Sequence, residues 1–120
     1  VCKAGGIILI TTRSFGFGFH GSPYDYWRYE PEDMEDIFSD CEIQVMERDP
    51  RKGVLMKAIK PLKFEEKELS DYELYSIVVN RRVKQISDKD LRNWHFIKLL
   101  ARSKAKDAAL KVAARLWRLV

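Results

Sequence analysis

Ile7-Ile8-Leu9-Ile10-Thr11-Thr12 constrains this chain more than any other stretch: six residues without a charge, apolar first and then β-branched. A run of that kind suits a strand covered on both faces, as in the parallel sheets of α/β proteins, whereas a half-exposed strand would alternate. Gly5 and Gly6 supply the turn that feeds it. The loop beyond is rich in glycine and aromatics, and it holds His20, Tyr24, Asp25, Tyr26, Trp27 and Arg28. Loops that leave the carboxyl ends of such strands commonly carry ligand contacts, so a site is expected here.

The next elements are legible from periodicity. Pro31 with Glu32, Asp33, Glu35 and Asp36 marks a helix start, since proline fits the first turn and acids complement its dipole. Met34, Ile37 and Phe38 give that helix one apolar face, so the acids read as a helix signal rather than a metal site. Cys41 to Arg48 alternates as a half-buried strand, Asp49 to Gly53 is a turn, and Val54 to Ile59 returns antiparallel. Two cysteines and two distant histidines form no ligand pattern, and the cysteines suit a reducing, cytoplasmic setting. No apolar run approaches the roughly 20 residues that cross a bilayer.

Val1-Cys2-Lys3-Ala4-Gly5-Gly6 before a strand resembles the V-L-K-P-G-G that precedes the fifth strand of class I S-adenosylmethionine-dependent methyltransferases. His20-Gly21-Ser22-Pro23-Tyr24-Asp25-Tyr26-Trp27-Arg28-Tyr29 is similar to the H-x-x-x-Y-D-Y-W-R-F-T segment of the type 11-like branch. The resemblance runs from Val1 to Pro61 and implies the C-terminal half of that fold: a partial Rossmann-like α/β sheet of one strand plus an antiparallel hairpin. It implies a strand order of fifth, seventh, sixth. It also implies methyl transfer, with His20 as catalytic base and Tyr24, Tyr26 and Arg28 at the acceptor. S-adenosylmethionine itself would be held by residues preceding the Gly-Gly turn, and Phe15-Gly16-Phe17-Gly18-Phe19 does not replace them. The donor half would then come from a partner chain or a longer polypeptide, and the chain alone would be inactive.

The same residues admit plainer roles. His20 can pack on aromatics, Asp25 can pair with Arg28 to hold the loop, and Trp27 can anchor a core. The fifth strand would also lack its usual neighbour, which leaves Ile7 to Thr12 as an open edge suited to homo-oligomerisation or to covering by the C-terminal segment.

Past a boundary at Pro61 to Glu68, residues 62–120 read as a helical extension on the 1–61 unit. Ser70-Asp71-Tyr72-Glu73 has the form of a capping box before Leu74, Ile77 and Val78, although Ile77-Val78-Val79 also favours strand. Helices are expected over 88–101, with Leu91, Trp94, Ile97 and Leu99 inward, and over 104–119. In the latter, Ala105, Ala108, Ala109, Val112, Ala113, Leu116 and Leu119 form a stripe opposite Lys104, Asp107, Lys111, Arg115 and Arg118. Residues 87–120 carry 9 Lys and Arg against 3 Asp and Glu, while residues 1–86 carry 13 against 15. The alternative function is therefore a basic module that binds nucleic acid or a protein partner. With several alanines and Trp117 as its aromatic anchor, the tail is a poor membrane binder.

Overall fold

A computed structural model describes residues 2–20 and 24–117, with side chains as far as Lys111. Gly21, Ser22 and Pro23 of the loop motif, the predicted helix-face side chains Val112, Ala113, Arg115, Leu116 and Trp117, and residues Arg118 and Leu119 lie outside what is described.

The chain is mixed α/β, with two three-stranded antiparallel sheets and a long C-terminal helix. The first sheet contains β1 (Ile7–Arg13), β3 (Glu42–Asp49) and β4 (Gly53–Ile59) in the order β1-β4-β3, so β4 lies antiparallel between the other two. The expected hairpin forms around Asp49 to Gly53, where Lys52 takes a left-handed φ of 63° and its N–H donates to the Asp49 carbonyl at 2.9 Å. The helix α1 (Pro31–Ile37) starts at its proline, as expected. Its Met34 packs with Val54, Met56 and Ala58 of β4 as the first core, flanked by Ile8, Ile10, Phe38, Ile43 and Met46.

β1 departs from expectation. Only Ile8, Ile10 and Thr12 turn inward, while Ile7 is 60% and Leu9 75% exposed, so the strand is covered on one face rather than two. The unbroken apolar run concealed this, because covering elements and not composition decide which face is wet. β3 also departs from simple alternation. A bulge between Ile43 and Val45 shifts the register, leaving Val45 outward and bringing Met46 in.

The second sheet joins the two parts of the chain. Its strands are β2 (Trp27–Arg28), β5 (Leu74–Ser76) and β6 (Arg81–Val83), in that order. The helix expected after Ser70 is thus a hairpin. Ser70 caps nothing; its N–H donates to Glu68 Oε1 at 2.8 Å. Asn80, at φ 55°, closes the tight turn, Val78 is wholly buried within it, and the β-branched run Ile77-Val78-Val79 fits there better than in a helix.

Further on, a single 3-10 turn, Asp90–Arg92, leads into α2 (Trp94–Trp117), one helix where two were expected. Its N-cap is Asn93, whose Oδ1 accepts the Phe96 N–H at 2.8 Å; Ser87 instead bonds Asp90. Phe96 is the buried residue of the first turns, whereas Trp94 and Ile97 are exposed. Ala105, Ala108 and Ala109 are exposed too, so this part of the alanine stripe has no partner among the described residues.

Asp33 ties α1 to the second sheet. It is buried, with Oδ2 accepting the Glu30 N–H at 2.9 Å and Oδ1 accepting the Tyr72 hydroxyl at 3.0 Å and the Arg82 guanidinium. Burial alone would raise its pKa, but the hydrogen bonds from Arg82, Glu30 and Tyr72 outweigh burial and hold it below the usual carboxylate value. Tyr72 is pushed up to about 12, by burial first and then by Asp33.

The two shifts give a pH profile with both limbs. A depressed carboxylate stabilises the fold above its unfolded pKa, so stability should fall as pH drops below about 4. A raised phenol stabilises it below its unfolded pKa, so stability should also fall as pH rises from about 10 towards 12. Urea unfolding should show Asp33→Asn losing about 2 kcal/mol at pH 7 and most of the acid limb. Tyr72→Phe should flatten the alkaline limb and trim the acid limb by a smaller amount, because it also removes one of the hydrogen bonds that hold Asp33 down.

Candidate functional site

The loop between β1 and α1 is built around Arg28. This guanidinium is 1% exposed. Nη1 donates to Asp25 Oδ1 at 2.8 Å and to the Trp27 carbonyl at 2.7 Å; Nη2 donates to Asp25 Oδ2 at 3.1 Å and to the Gly18 carbonyl at 3.1 Å; Nε donates to the Phe17 carbonyl at 3.2 Å. A rigid fork is the only side chain that makes all of these at once. Asp25 Oδ2 also accepts the His20 N–H at 3.0 Å. One ion pair, buried on its Arg28 side, thereby fixes Phe17, Gly18, His20, Asp25 and Trp27 relative to one another.

Aromatic edges lock the loop to its surroundings. Phe15 meets Tyr75 at 5.0 Å, and Phe96 of α2 receives both Phe19 at 5.6 Å and Tyr26 at 5.7 Å, each pair edge to face. The Arg13 guanidinium lies 4.2 Å above the Phe17 ring, whose other stacking partner is His20 at 4.7 Å.

A cleft of about 500 Å³ opens beside this loop, lined by Thr11, Thr12, Arg13, Tyr24, Asp25, Tyr26, Trp27, Tyr29, Asp49, Val54 and Leu55. That volume suits a small organic molecule. Among the residues expected at a site, the structure brings Tyr24 and Tyr26 to the cleft. His20 is exposed on the Phe17 ring and does not line it, and Arg28 is spent inside the loop rather than offered to a ligand. Tyr24 is 76% exposed and sits at φ 81°, a left-handed conformation that a bulky residue rarely adopts and that clusters at functional sites.

Sequence reasoning missed Arg13, Tyr29 and Asp49. Arg13 ends β1 and Asp49 ends β3, so the β1-β4-β3 register places both at one end of the sheet, opposite Gly53. Tyr29 donates its N–H to the Arg13 carbonyl at 2.8 Å, and burial first and Asp33 second push its phenol up, keeping it protonated as a donor. The strand-final positions of Arg13 and Asp49 were the available signal. His95 was also missed; its Nε2 lies 3.1 Å from the Ile77 carbonyl, beside a cleft of about 190 Å³. Both cysteines are half-buried and free, and burial, with Asp40 next, pushes the Cys41 thiol up, which makes it a poor nucleophile.

The described residues do not fit a nucleotide-type methyl donor. Such a donor is held by a glycine-rich turn running straight into a helix N-terminus. Here the Gly16–Gly18 loop runs into β2, and a Cβ at Gly16 would meet the Lys52 side chain at 3.3 Å. Pro31 and the Asp33 carboxylate already occupy the first turn of α1. Among the described residues, no group of three or more His, Cys, Asp or Glu side chains is placed to hold a metal ion. No protein-family model matches the chain, and neither the curated proteins nor the solved structures provide a match.

Removing the fork should cost more than removing any residue of the cleft. Arg28→Met should lower stability to urea by about 3 kcal/mol, with Arg28→Lys recovering little of it. Tyr24→Gly should do the opposite and gain about 0.5–1 kcal/mol by relieving the left-handed backbone.

Proposed function

We propose that this chain is the acceptor-side part of a methyltransferase-type fold, with the cleft beside Tyr24 and Tyr26 taking the methyl acceptor. The observation that carries this reading is the strand order β1-β4-β3 with β4 antiparallel in the middle. That is the order the resemblance implies for the fifth, seventh and sixth strands, and the Tyr-Asp-Tyr-Trp-Arg motif borders the cleft at the end of the first of them. The part played by these residues is binding and orientation, with Arg28 holding the loop and the Tyr26 ring fixed against Phe96. S-adenosylmethionine would be supplied by residues outside this sequence, in a partner chain or a longer polypeptide.

In calorimetry the chain alone should take up no S-adenosylmethionine at micromolar affinity. Uptake would mean that these residues build a donor site themselves, and the partial-fold reading would fall. The assembly that contains the chain in cells should transfer tritiated methyl groups from S-adenosylmethionine, and Tyr26→Ala with Asp49→Ala should reduce transfer at least tenfold by raising KM. An assembly that transfers none removes the methyltransferase reading.

The partner joins through β1. Tyr29 N–H bonds the outward Arg13 carbonyl, while Ser14 N–H bonds Lys52 on the β4 side. By the alternation of an antiparallel ladder, Ile7, Leu9 and Thr11 therefore direct their N–H and C=O groups away from β4. Among the described residues no strand pairs with that edge, and the C-terminal segment does not cover it. In the absence of another partner, a second copy pairs there antiparallel, about a two-fold axis at Leu9. Leu9→Pro removes one outward N–H and leaves the β1–β4 ladder intact. Sedimentation should find the wild type dimeric at about 100 μM and Leu9→Pro monomeric with an unchanged circular dichroism spectrum; a monomeric wild type overturns the pairing.

A further inference from the structure

Among the described residues, the side chains that anchor α2 lie at its start. Phe96 is buried between Phe19 and Tyr26, the Asn93 amide donates to the Val78 carbonyl at 2.9 Å, and His95 meets the Ile77 carbonyl. Beyond Leu100 the helix leaves the body of the protein: from Ala101 to Lys111 every side chain is exposed except that of Ser103, which is half-exposed. The radius of gyration, 18.1 Å, reflects this projection, since a compact chain of this length would have about 14 Å.

The charges on the projecting part are arranged rather than scattered. Between Ala101 and Lys111 there are four cations, Arg102, Lys104, Lys106 and Lys111, and one carboxylate, Asp107. None of the four takes part in an ion pair among the described residues. At about 100° per residue, Ala101, Ala105, Ala108 and Ala109 share one face. Arg102 and Lys106 lie along one flank of that face, at about 70–110° from its centre, and Lys104 and Lys111 lie along the other at about 90–110°. Asp107, Ser103 and Leu110 occupy the back.

We propose that the projecting half of α2 docks in the major groove of duplex nucleic acid, with its alanine face to the groove floor and its two basic flanks on the phosphates of either wall. A helix about 10–12 Å across matches a groove about 12 Å wide. Alanines let the backbone approach the floor closely, and the one carboxylate points out of the groove. The contact is mainly to phosphates and close to sequence-neutral, because Ala101, Ala105, Ala108 and Ala109 offer no hydrogen-bonding group to base edges. An anionic membrane would need large apolar side chains between the basic flanks, and from Ala101 to Ala109 the face between them is alanine. The proposal is independent of the methyl-transfer reading.

Fluorescence anisotropy with a 24-base-pair DNA duplex tests it on the full chain. Four flanking cations predict a log–log salt slope of about −3.6, a loss of about 150-fold in affinity between 50 and 200 mM salt. Arg102→Gln with Lys106→Gln should halve the slope and weaken binding at least tenfold at 100 mM salt. Two further variants carry the same change of charge on opposite faces. Ala105→Glu with Ala109→Glu should abolish binding, while Ser103→Glu with Leu110→Glu should weaken it by no more than about threefold, with circular dichroism confirming that both remain helical. Equal losses in the two variants would mean a diffuse charge effect and overturn the docking geometry. Absence of duplex binding at 50 mM salt, or tighter binding to phosphatidylserine vesicles than to the duplex, overturns the proposal outright.

Discussion

Arg28 has almost no contact with water, and both sheets depend on where it sits. It lies on β2, the strand that the sequence between β1 and α1 contributes to the second sheet, so its position fixes how the segment around residue 75 returns to the segment around residue 28. Burying a guanidinium is costly unless its donors find acceptors, and here a bidentate carboxylate and three carbonyls provide them. Such a pair adds little net stability compared with an apolar core, but it permits few alternatives. The loop can close around it in one way, and that way puts Tyr24 and Tyr26 on the cleft.

Asp33 does for α1 what Arg28 does for the loop. The acids following Pro31 have two distinct jobs that composition does not separate. Glu32 is exposed and complements the helix start, while Asp33 faces inward and collects a backbone N–H, a phenol and a guanidinium from a hairpin about 40 residues away. The Asp33 tie joins the β1–α1–hairpin unit to the segment after Pro61, whereas the bonds of Arg28 stay within its loop and leave the β2–β5 backbone ladder to make the second join. The second sheet is therefore stapled to the first part of the chain by charge-assisted bonds more than by a broad apolar interface. Its own apolar contribution is small, centred on Val78 and Phe96.

What could be read from the residues follows from how far away the deciding partner lies. α1, the β3–β4 hairpin and the turn at Asp49 to Gly53 were legible because each is specified within a dozen residues. The β1-β4-β3 order came from the resemblance rather than from periodicity. β5 and β6 were hidden because three-residue strands show too little alternation to outweigh an S-x-x-E signal, and because their third partner is the two-residue strand at Trp27 and Arg28. Of the residues that line the cleft, Tyr24 and Tyr26 were singled out by the motif. Arg13 and Asp49 were missed because their proximity is a consequence of register. The exposure of Leu9 was missed for the same reason: no local property of Ile-Ile-Leu-Ile says which face will be left uncovered.

The uncovered surfaces fall into two chemical kinds, and they ask for different partners. The outer edge and face of β1 present Ile7, Leu9 and unpaired backbone groups, a surface that gains by apolar burial and strand pairing and is indifferent to salt. The projecting half of α2 presents cations and alanines, a surface that gains almost nothing by burial and depends on a screened field. The cleft lies at the Thr11–Arg13 end of the first surface and away from the second. A partner strand on β1 would extend the sheet beside the cleft mouth at Thr11 and so could change what the cleft admits. A polyanion on α2 would act at the opposite end of the Phe96 anchor, where the helix meets Tyr26. Two routes link the helix to the cleft-lining loop: the Tyr26–Phe96 ring pair, and the turn where Asn93 and His95 meet the Val78 and Ile77 carbonyls and the Ile77 N–H donates to the Tyr26 carbonyl at 3.0 Å.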